Sequence, residues 1–306
     1  MVIKYLKHAA IDKSKWDECI ANAHNSLIYV HSFYLDNCTG NSWDALMVGD
    51  YEFVMPLTFR KKYGIKYLHQ PAFLQQSGIF SAQKINEDIT NIFLAEIEKL
   101  FKFAEINLNY ANCFVNKHNI QVIERNNFTL SLQNSYKNIS SKFKNDFIKN
   151  LKRSKRYPLN YEKSDNVDFI IDMYKRLYGA RFPSVKQKDY LSLKKNCNYL
   201  HNTNNLILRT IHLEGEIIAA IILLKDSNRL YNVASSITQK GRKMSANHFL
   251  YNKIIDEFSE QDLIFDFEGS DINGIADFYK SMGPINEKYI SVKFNNLPWF
   301  VKLFKK

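Results

Sequence analysis

The chain has 306 residues, of which 45% are apolar and 24% charged, with only 10 Gly and 6 Pro. That composition excludes a mostly disordered chain, a collagen-like repeat and long glycine linkers, and it leaves little glycine for phosphate-cradling loops. The balance of 42 Lys and Arg against 31 Asp and Glu gives a formal charge of +11, which favours an anionic partner (nucleic acid, a phosphorylated ligand or an acidic membrane surface) and equally fits a soluble basic protein.

At roughly 150 residues per domain, the length predicts two domains. Residues 1–8 lack the apolar stretch of a signal peptide. The longest aliphatic run, residues 217–224, is shorter than the ~20 residues a bilayer requires, so a soluble, cytoplasmic protein is expected. Cys19, Cys38, Cys113 and Cys197 are scattered, with no CxxC pair or Cys/His cluster; no metal site and no disulfide framework are expected.

In chain order, residues 45–48 and 53–60 read as strands around a Gly49-Asp50 turn, followed by an extended apolar stretch over 65–80. Ile89, Ile92, Phe93, Ile97 and Leu100 recur at spacings of three and four and predict a helix, which leads into a strand-like run at 105–109. Residues 140–157 predict an amphipathic helix ended by Pro158. Its apolar side is Phe143, Phe147, Ile148 and Leu151, and its other positions are Lys142, Lys144, Lys149, Lys152, Arg153, Lys155 and Arg156, with Asp146 the only acid. Two more helices are predicted at 167–178 and 188–200. The first order then returns: strands at 206–212, 217–224 and 229–236, a helix at 247–258 and a short strand at 263–267. Two copies of β-β-β-α-β predict two similar domains, 1–135 and 136–306.

Residues 263–283, LIFDFEGSDINGIADFYKSMG, carry the densest chemistry. Strand alternation puts Leu263, Phe265 and Phe267 on one face and Ile264, Asp266 and Glu268 on the other. Two like charges this close raise the pKa of one of them, which suits a general base near neutral pH. Gly269 permits a sharp turn, and a short helix then carries Tyr279 and Lys280. The same pattern fits a solvated strand end and a helix capped by Ser270 or Asp271. Residues 239–247, QKGRKMSAN, join a strand to a helix. They read either as an anion site, with Gly241, Arg242 and Lys243 at a helix N-terminus, or as a basic turn capped by Ser245 or Asn247. No GxGxxG, Walker-type loop, HExxH or GxSxG motif is present. The tail, residues 297–306, is aromatic and basic; it fits a membrane-surface anchor or a terminal element packed on the core.

The basic helix KNDFIKNLKRSKRY, the strand run ending in YNVASSIT, and above all FDFEGSDINGIADFYKSMG resemble the GNAT-like acyltransferase domain of FemAB-type proteins. PAFLQQSGIF, with Gln75, Gln76 and Gly78, is its counterpart in the first half. The resemblance implies an α+β fold of two tandem GNAT-like domains, each a mixed, mostly antiparallel sheet flanked by helices. It also implies transfer of an acyl or aminoacyl group to an amine, with acyl-CoA or aminoacyl-tRNA as donor and a small molecule or a peptidoglycan-precursor-like amine as acceptor. The acetyl-CoA loop of typical GNAT domains is Gln/Arg-x-x-Gly-x-Gly/Ala; here the single Gly241 falls out of that register. The Fem signature has a lysine directly after the helix phenylalanine, whereas Phe278 is followed by Tyr279 and then Lys280. The family lysine's role therefore falls to Lys280, to Tyr279 or to neither.

In this frame Glu268 or Asp266 takes the amine's proton, and Tyr279 protonates the leaving group. The oxyanion meets a strand edge between Tyr231 and Ser235, or Lys280. Ser270, Gln75 and Gln76 are substrate-binding candidates; Gly241, Arg242, Lys243 and Asn247 are donor-binding candidates. Two other readings are carried: a non-catalytic scaffold that holds RNA or another anionic partner through the basic helix, and a peripheral membrane protein docking through residues 297–306.

Overall fold

The structure is a computed structural model and describes residues 1–62, 64–113 and 120–298. It divides into two compact units: residues 1–125 with 288–306, and residues 126–287. The first segment contains β1 (Ile3–Leu6), α1 (Lys13–Asn22), α2 (Ser32–Thr39), β2 (Trp43–Val48), β3 (Phe53–Lys62), β4 (Ile65–His69), α3 (Glu87–Leu100), β5 (Phe103–Asn107) and β6 (Gln121–Arg125). The second unit contains β7 (Phe128–Ser131), α4 (Tyr136–Ser140), α5 (Asn145–Ser154), β8 (Asn160–Lys163), α6 (Val167–Tyr178), α7 (Gln187–Asn202), β9 (Leu206–Leu213), β10 (Glu216–Lys225), β11 (Arg229–Ile237), α8 (Gln239–Lys243), α9 (Ala246–Glu257), β12 (Ile264–Asp266), α10 (Asn273–Lys280) and β13 (Ile285–Asn286). The chain then returns to the first unit as β14 (Tyr289–Asn295).

Among the described residues each unit carries a seven-stranded mixed sheet, in the orders β1-β2-β3-β4-β5-β14-β6 and β13-β7-β12-β11-β10-β9-β8. Read from β1 and from β8, the two sheets have the same plan. Three antiparallel pairings are followed by one parallel pairing (β4 with β5, β11 with β12) and then two antiparallel ones. The fold is α+β and tandem, as the repeated element order implies. The division expected at residue 135 differs from the one observed. β7 already pairs with β12 in the second sheet, and β14 pairs with β5 and β6 in the first, so the span after residue 287 leaves the second unit. Both strands are short, and their partners lie far away in sequence. Of the predicted tail anchor, residues 299–306 lie outside the described residues.

Helix signals were local and are met locally. α6 starts where Asn166 accepts a hydrogen bond from the Phe169 N–H, and it ends at Gly179, burying Ile170, Ile171 and Met173. The apolar side of α5 (Phe147 and Leu151) is buried, while Lys149, Lys152 and Arg153 are exposed. β10 is buried on both alternations from Ile218 to Leu224, as a central strand covered on both faces must be. The expected extended stretch over 65–80 is a strand only to His69. Beyond it, isolated bridges (Ser77 with Leu108, Phe80 with Val54) and side-chain amides hold the chain: Asn25, Asn109 and Asn112 all donate to the Ile79 carbonyl, at 2.8, 2.9 and 3.0 Å. Among the described residues no helix is long and apolar enough to cross a membrane.

In the second unit Arg209 on β9 binds Glu257 at the end of α9, with Nε 2.8 Å from Oε2, and the Tyr161 hydroxyl donates to the same carboxylate. Burial alone would raise the Glu257 pKa; the bonds from Arg209 and Tyr161 outweigh it, and the pKa is lowered. The folded value lies below the unfolded one. The pair's stabilisation is therefore present above the unfolded carboxylate pKa and lost as pH falls through the folded value. Calorimetry is expected to show the melting temperature falling between roughly pH 5 and pH 3, with a shallower fall in Glu257→Gln.

Candidate functional site

The site begins where two strands part. β11 pairs in parallel with β12 only from Arg229 to Tyr231, opposite Ile264 to Asp266. β12 then ends, while β11 runs on to Ile237 along β10, with a register shift that skips Val233. Beside that unpaired stretch of β11 lies a cavity of about 640 Å3. One wall is Asn232 to Ser235 with Ile237, and a second is residues 267–272 with Ile275, Phe278 and Tyr279 of α10. Tyr174 and Tyr178 of α6, Arg181 and Phe182 just after it, and Arg242, Asn247 and Tyr251 complete the lining.

Glu268 lines this cavity and Asp266 does not. The expected carboxylate pair on one strand face is not formed, because the strand stops at Asp266. Glu268 (φ 59°) and Gly269 (φ 62°) are both left-handed and turn the chain out of the strand direction. A left-handed glutamate is a locally costly conformation of the kind that collects at functional sites. Asp266 is 0% exposed. Its Oδ2 is 3.0 Å from Nη1 of Arg229, its Oδ1 accepts the Glu268 N–H at 2.9 Å, and Asn127 Nδ2 donates to it at 3.3 Å. Arg229 also grips Glu287, at 2.7 and 3.1 Å. Burial raises the Asp266 pKa and Arg229 opposes the rise. Asp266 is a buried structural anion that holds the strand end from which Glu268 departs.

Tyr279 also lines the cavity; Lys280, one residue on, does not, and lies 5.7 Å from the Phe128 ring with Asp277 as its near carboxylate. The Asn232 amide donates to the hydroxyls of Tyr251 (2.8 Å) and Tyr279 (3.3 Å), and the Tyr251 hydroxyl donates to Ser235 Oγ (3.1 Å). Burial pushes the Tyr279 pKa well above the usual tyrosine value, with Tyr251 and, further down, the Glu268 charge adding to it. Tyr174 is pushed up to about 12 by burial, with Tyr190 and then Glu268 contributing. These tyrosines keep their protons at neutral pH. Tyr231, expected on the strand edge, is fully buried away from the cavity and donates to Asp226.

Ser270 lines the cavity; its Oγ accepts the Ile272 N–H at 3.0 Å and does not cap α10, whose N-cap is Ile272. In the 239–247 loop the expected anion cradle is not built on Gly241. That glycine is packed against β10, and a Cβ there would meet the Ile218 carbonyl oxygen at 2.6 Å and Ile237 Cγ1 at 2.9 Å. It serves close packing, and its N–H goes to Thr238 Oγ1 at 3.0 Å. Gly241→Ala is expected to destabilise the protein by about 1–3 kcal/mol in urea unfolding. Lys243 is exposed and off the cavity, whereas Arg242 and Asn247 line it. Ser245 sits at the N-cap of α9 with φ 57°, and its hydroxyl goes to Asn150 Oδ1 and does not cap the helix. Gln75 and Gln76 belong to the other unit. The Gln76 side chain is buried there, accepting from the Tyr110 N–H at 2.9 Å and donating to Gln75 Oε1 at 3.2 Å.

The sequence reading missed Tyr174, Tyr178, Arg181, Tyr251 and Phe278 as cavity residues. The run Tyr178-Gly179-Ala180-Arg181-Phe182 at the end of a predicted helix was the available signal. Among the described residues no group of His, Cys, Asp and Glu could hold a metal ion.

A family model of the acetyltransferase (GNAT) domain matches residues 141–281. No curated protein matches the chain. The fold is similar to that of FemX, at 12% identity over 100% of both chains with a TM-score of 0.66. It is also similar to a conserved protein of unknown function from Bacteroides thetaiotaomicron, at 11% identity over 95% of this chain and 99% of that one (TM-score 0.57). A third similar fold is the C-terminal domain of a candidate lysylphosphatidylglycerol synthetase from Agrobacterium fabrum, at 10% identity over 96% and 94% (TM-score 0.56). The cavity, the parted strands and the tyrosine of α10 all fall within the matched segment or on its border. Residues 141–281 are thus similar to the acetyltransferase (GNAT) domain, within a fold similar to the tandem fold of FemX.

Proposed function

We propose that this chain is an N-acyltransferase that joins an acyl or aminoacyl group to an amine by direct transfer in the cavity of the second unit. The observation that carries the reading is the convergence of the Glu268 carboxylate and the protonated Tyr279 hydroxyl on a single aromatic-walled cavity beside the parted strands. Glu268 accepts a proton from the attacking amine as its nitrogen bonds to the acyl carbon. The unpaired edge of β11 around Val233, with the Ser235 hydroxyl, faces the carbonyl oxygen as it gains charge. Tyr279 gives its proton to the departing thiolate or alkoxide, and the Tyr251–Asn232 contacts orient its hydroxyl. The products are an amide and the free thiol or alcohol; the proton on Glu268 returns to solvent, and Tyr279 is reprotonated. The donor is an acyl-CoA or an aminoacyl-tRNA, and the acceptor a small-molecule amine or one like that of a peptidoglycan precursor. The test is mass spectrometry of amide products formed by the purified chain from panels of acyl-CoAs, aminoacyl-tRNAs and amines, run beside the Glu268→Gln variant. No product from any donor in the wild-type protein would overturn the reading.

One observation favours the scaffold alternative. Lys142, Lys144, Lys149, Lys152, Arg153, Lys155 and Arg156 are all exposed, and among the described residues none is paired with a carboxylate. Polyanion binding by this face is compatible with transfer and does not replace it.

A further inference from the structure

Three side chains at the solvent side of the cavity share one property: they donate hydrogen bonds and have nothing anionic to donate to. Arg181 follows α6 and Arg242 lies in the last turn of α8, so two separate elements bring two like charges to one cavity. Their guanidinium carbons lie 5.4 and 5.9 Å from the centre of one ring, that of Tyr178, and all three residues line the cavity. Arg242 Nη2 donates to the Tyr178 hydroxyl oxygen at 3.2 Å, and the Ile237 N–H reaches the same oxygen at 3.4 Å. That oxygen is therefore accepting, and its own proton is left to point outward. Among the described residues no carboxylate pairs with either arginine, and the Tyr178 proton has no acceptor. Both guanidinium groups line one cavity beside the same tyrosine, and planar forks of this kind match phosphate oxygens.

We propose that Arg181, Tyr178 and Arg242 form a clamp for a phosphate ester, which takes the place of the glycine-rich loop that Gly241 does not supply. The inference rests on the transfer reading only for its purpose: the phosphate belongs to the acyl donor, and the clamp fixes the donor's polar end at the solvent side while its acyl group enters the aromatic interior. Both coenzyme A and the 3′ end of an RNA present such a group, so the ligand chemistry is shared and the source is a matter for the test.

Isothermal titration of the full chain with pyrophosphate, coenzyme A and a short single-stranded RNA decides it. Binding of pyrophosphate that weakens as salt rises, and about tenfold in each of Arg181→Gln and Arg242→Gln, is the expected result. Lys243→Gln, which removes an exposed charge of the same loop off the cavity, is expected to change binding by less than about twofold. Arg181 and Arg242 are exposed, and unchanged melting temperatures would show that the variants remain folded. Tighter binding of coenzyme A than of the RNA, lost in both arginine variants, identifies a nucleotide-type donor; the reverse identifies an RNA donor. Pyrophosphate binding that is absent, or equally strong in both arginine variants, overturns the clamp. An arginine-dependent site in a protein that forms no amide leaves the clamp standing and removes the transfer reading. Undiminished transfer by the double variant does the opposite.

Discussion

Glu268→Gln is expected to slow amide formation by about 10²- to 10⁴-fold, the usual contribution of a positioned general base, while the melting temperature stays within about 2 °C. The substitution keeps the size and the left-handed backbone demand of residue 268, so the turn with Gly269 is expected to survive while the proton acceptor is lost. The variant is informative because the neighbouring acid is not interchangeable with it. Asp266 is enclosed by Arg229, Asn127 and the Glu268 N–H, and cannot swing into the cavity to substitute. Rates measured across pH separate the base from the acid. Glu268→Gln removes the rise in rate on the acidic side, and Tyr279→Phe lowers the rate most for donors with poor leaving groups. A Glu268→Gln protein with the wild-type rate on an identified donor would end the assignment.

Arg229→Ala is expected to be the most damaging single change to stability, by about 3–5 kcal/mol in denaturant unfolding. It strips the cation from a carboxylate that is 0% exposed and from Glu287 at once. The pH dependence has a definite sign. Burial already holds the folded Asp266 pKa above the unfolded value, and without Arg229 it rises further. The folded state then binds the proton more tightly, and stability is lost as pH rises through the folded value. The variant is therefore expected to be closest to wild type in acid and furthest from it at neutral pH. A penalty equal at both pH values would show that Asp266 is not the group left uncompensated.

These two residues also show what the sequence could reveal. The helices at α3, α6 and α9 and the strands β9 to β11 follow from spacing alone, because apolar periodicity records which face each element buries. The run around Glu268 was recognisable as a site by its composition: two acids, Gly269, Ser270 and an aromatic helix. Its geometry was not, because strand alternation holds only while the strand does. The reading assumed continuation to residue 268, where the structure has a left-handed turn. The partner that removes Asp266 from the chemistry, Arg229, is 37 residues away, and pairing of that kind leaves no local signature. The run from Tyr178 to Phe182 stood out in composition, but its partner did not, for the same reason. The meeting of that run with Arg242 is made by the packing of α6 near β11, not by any spacing within the sequence.

The return of β14 to the first sheet sets an order of events during synthesis. β14 lies between β5 and β6, so the first unit lacks an interior strand until the last segment of the chain has been made. The second unit, continuous from residue 126 to 287, has all its strands earlier. The first unit is thus expected to complete its sheet after the second. On the ribosome it is expected to wait with the edges of β5 and β6 that face β14 unpaired while the second unit forms. Those two edges are where a nascent or truncated chain would be recruited into aggregates.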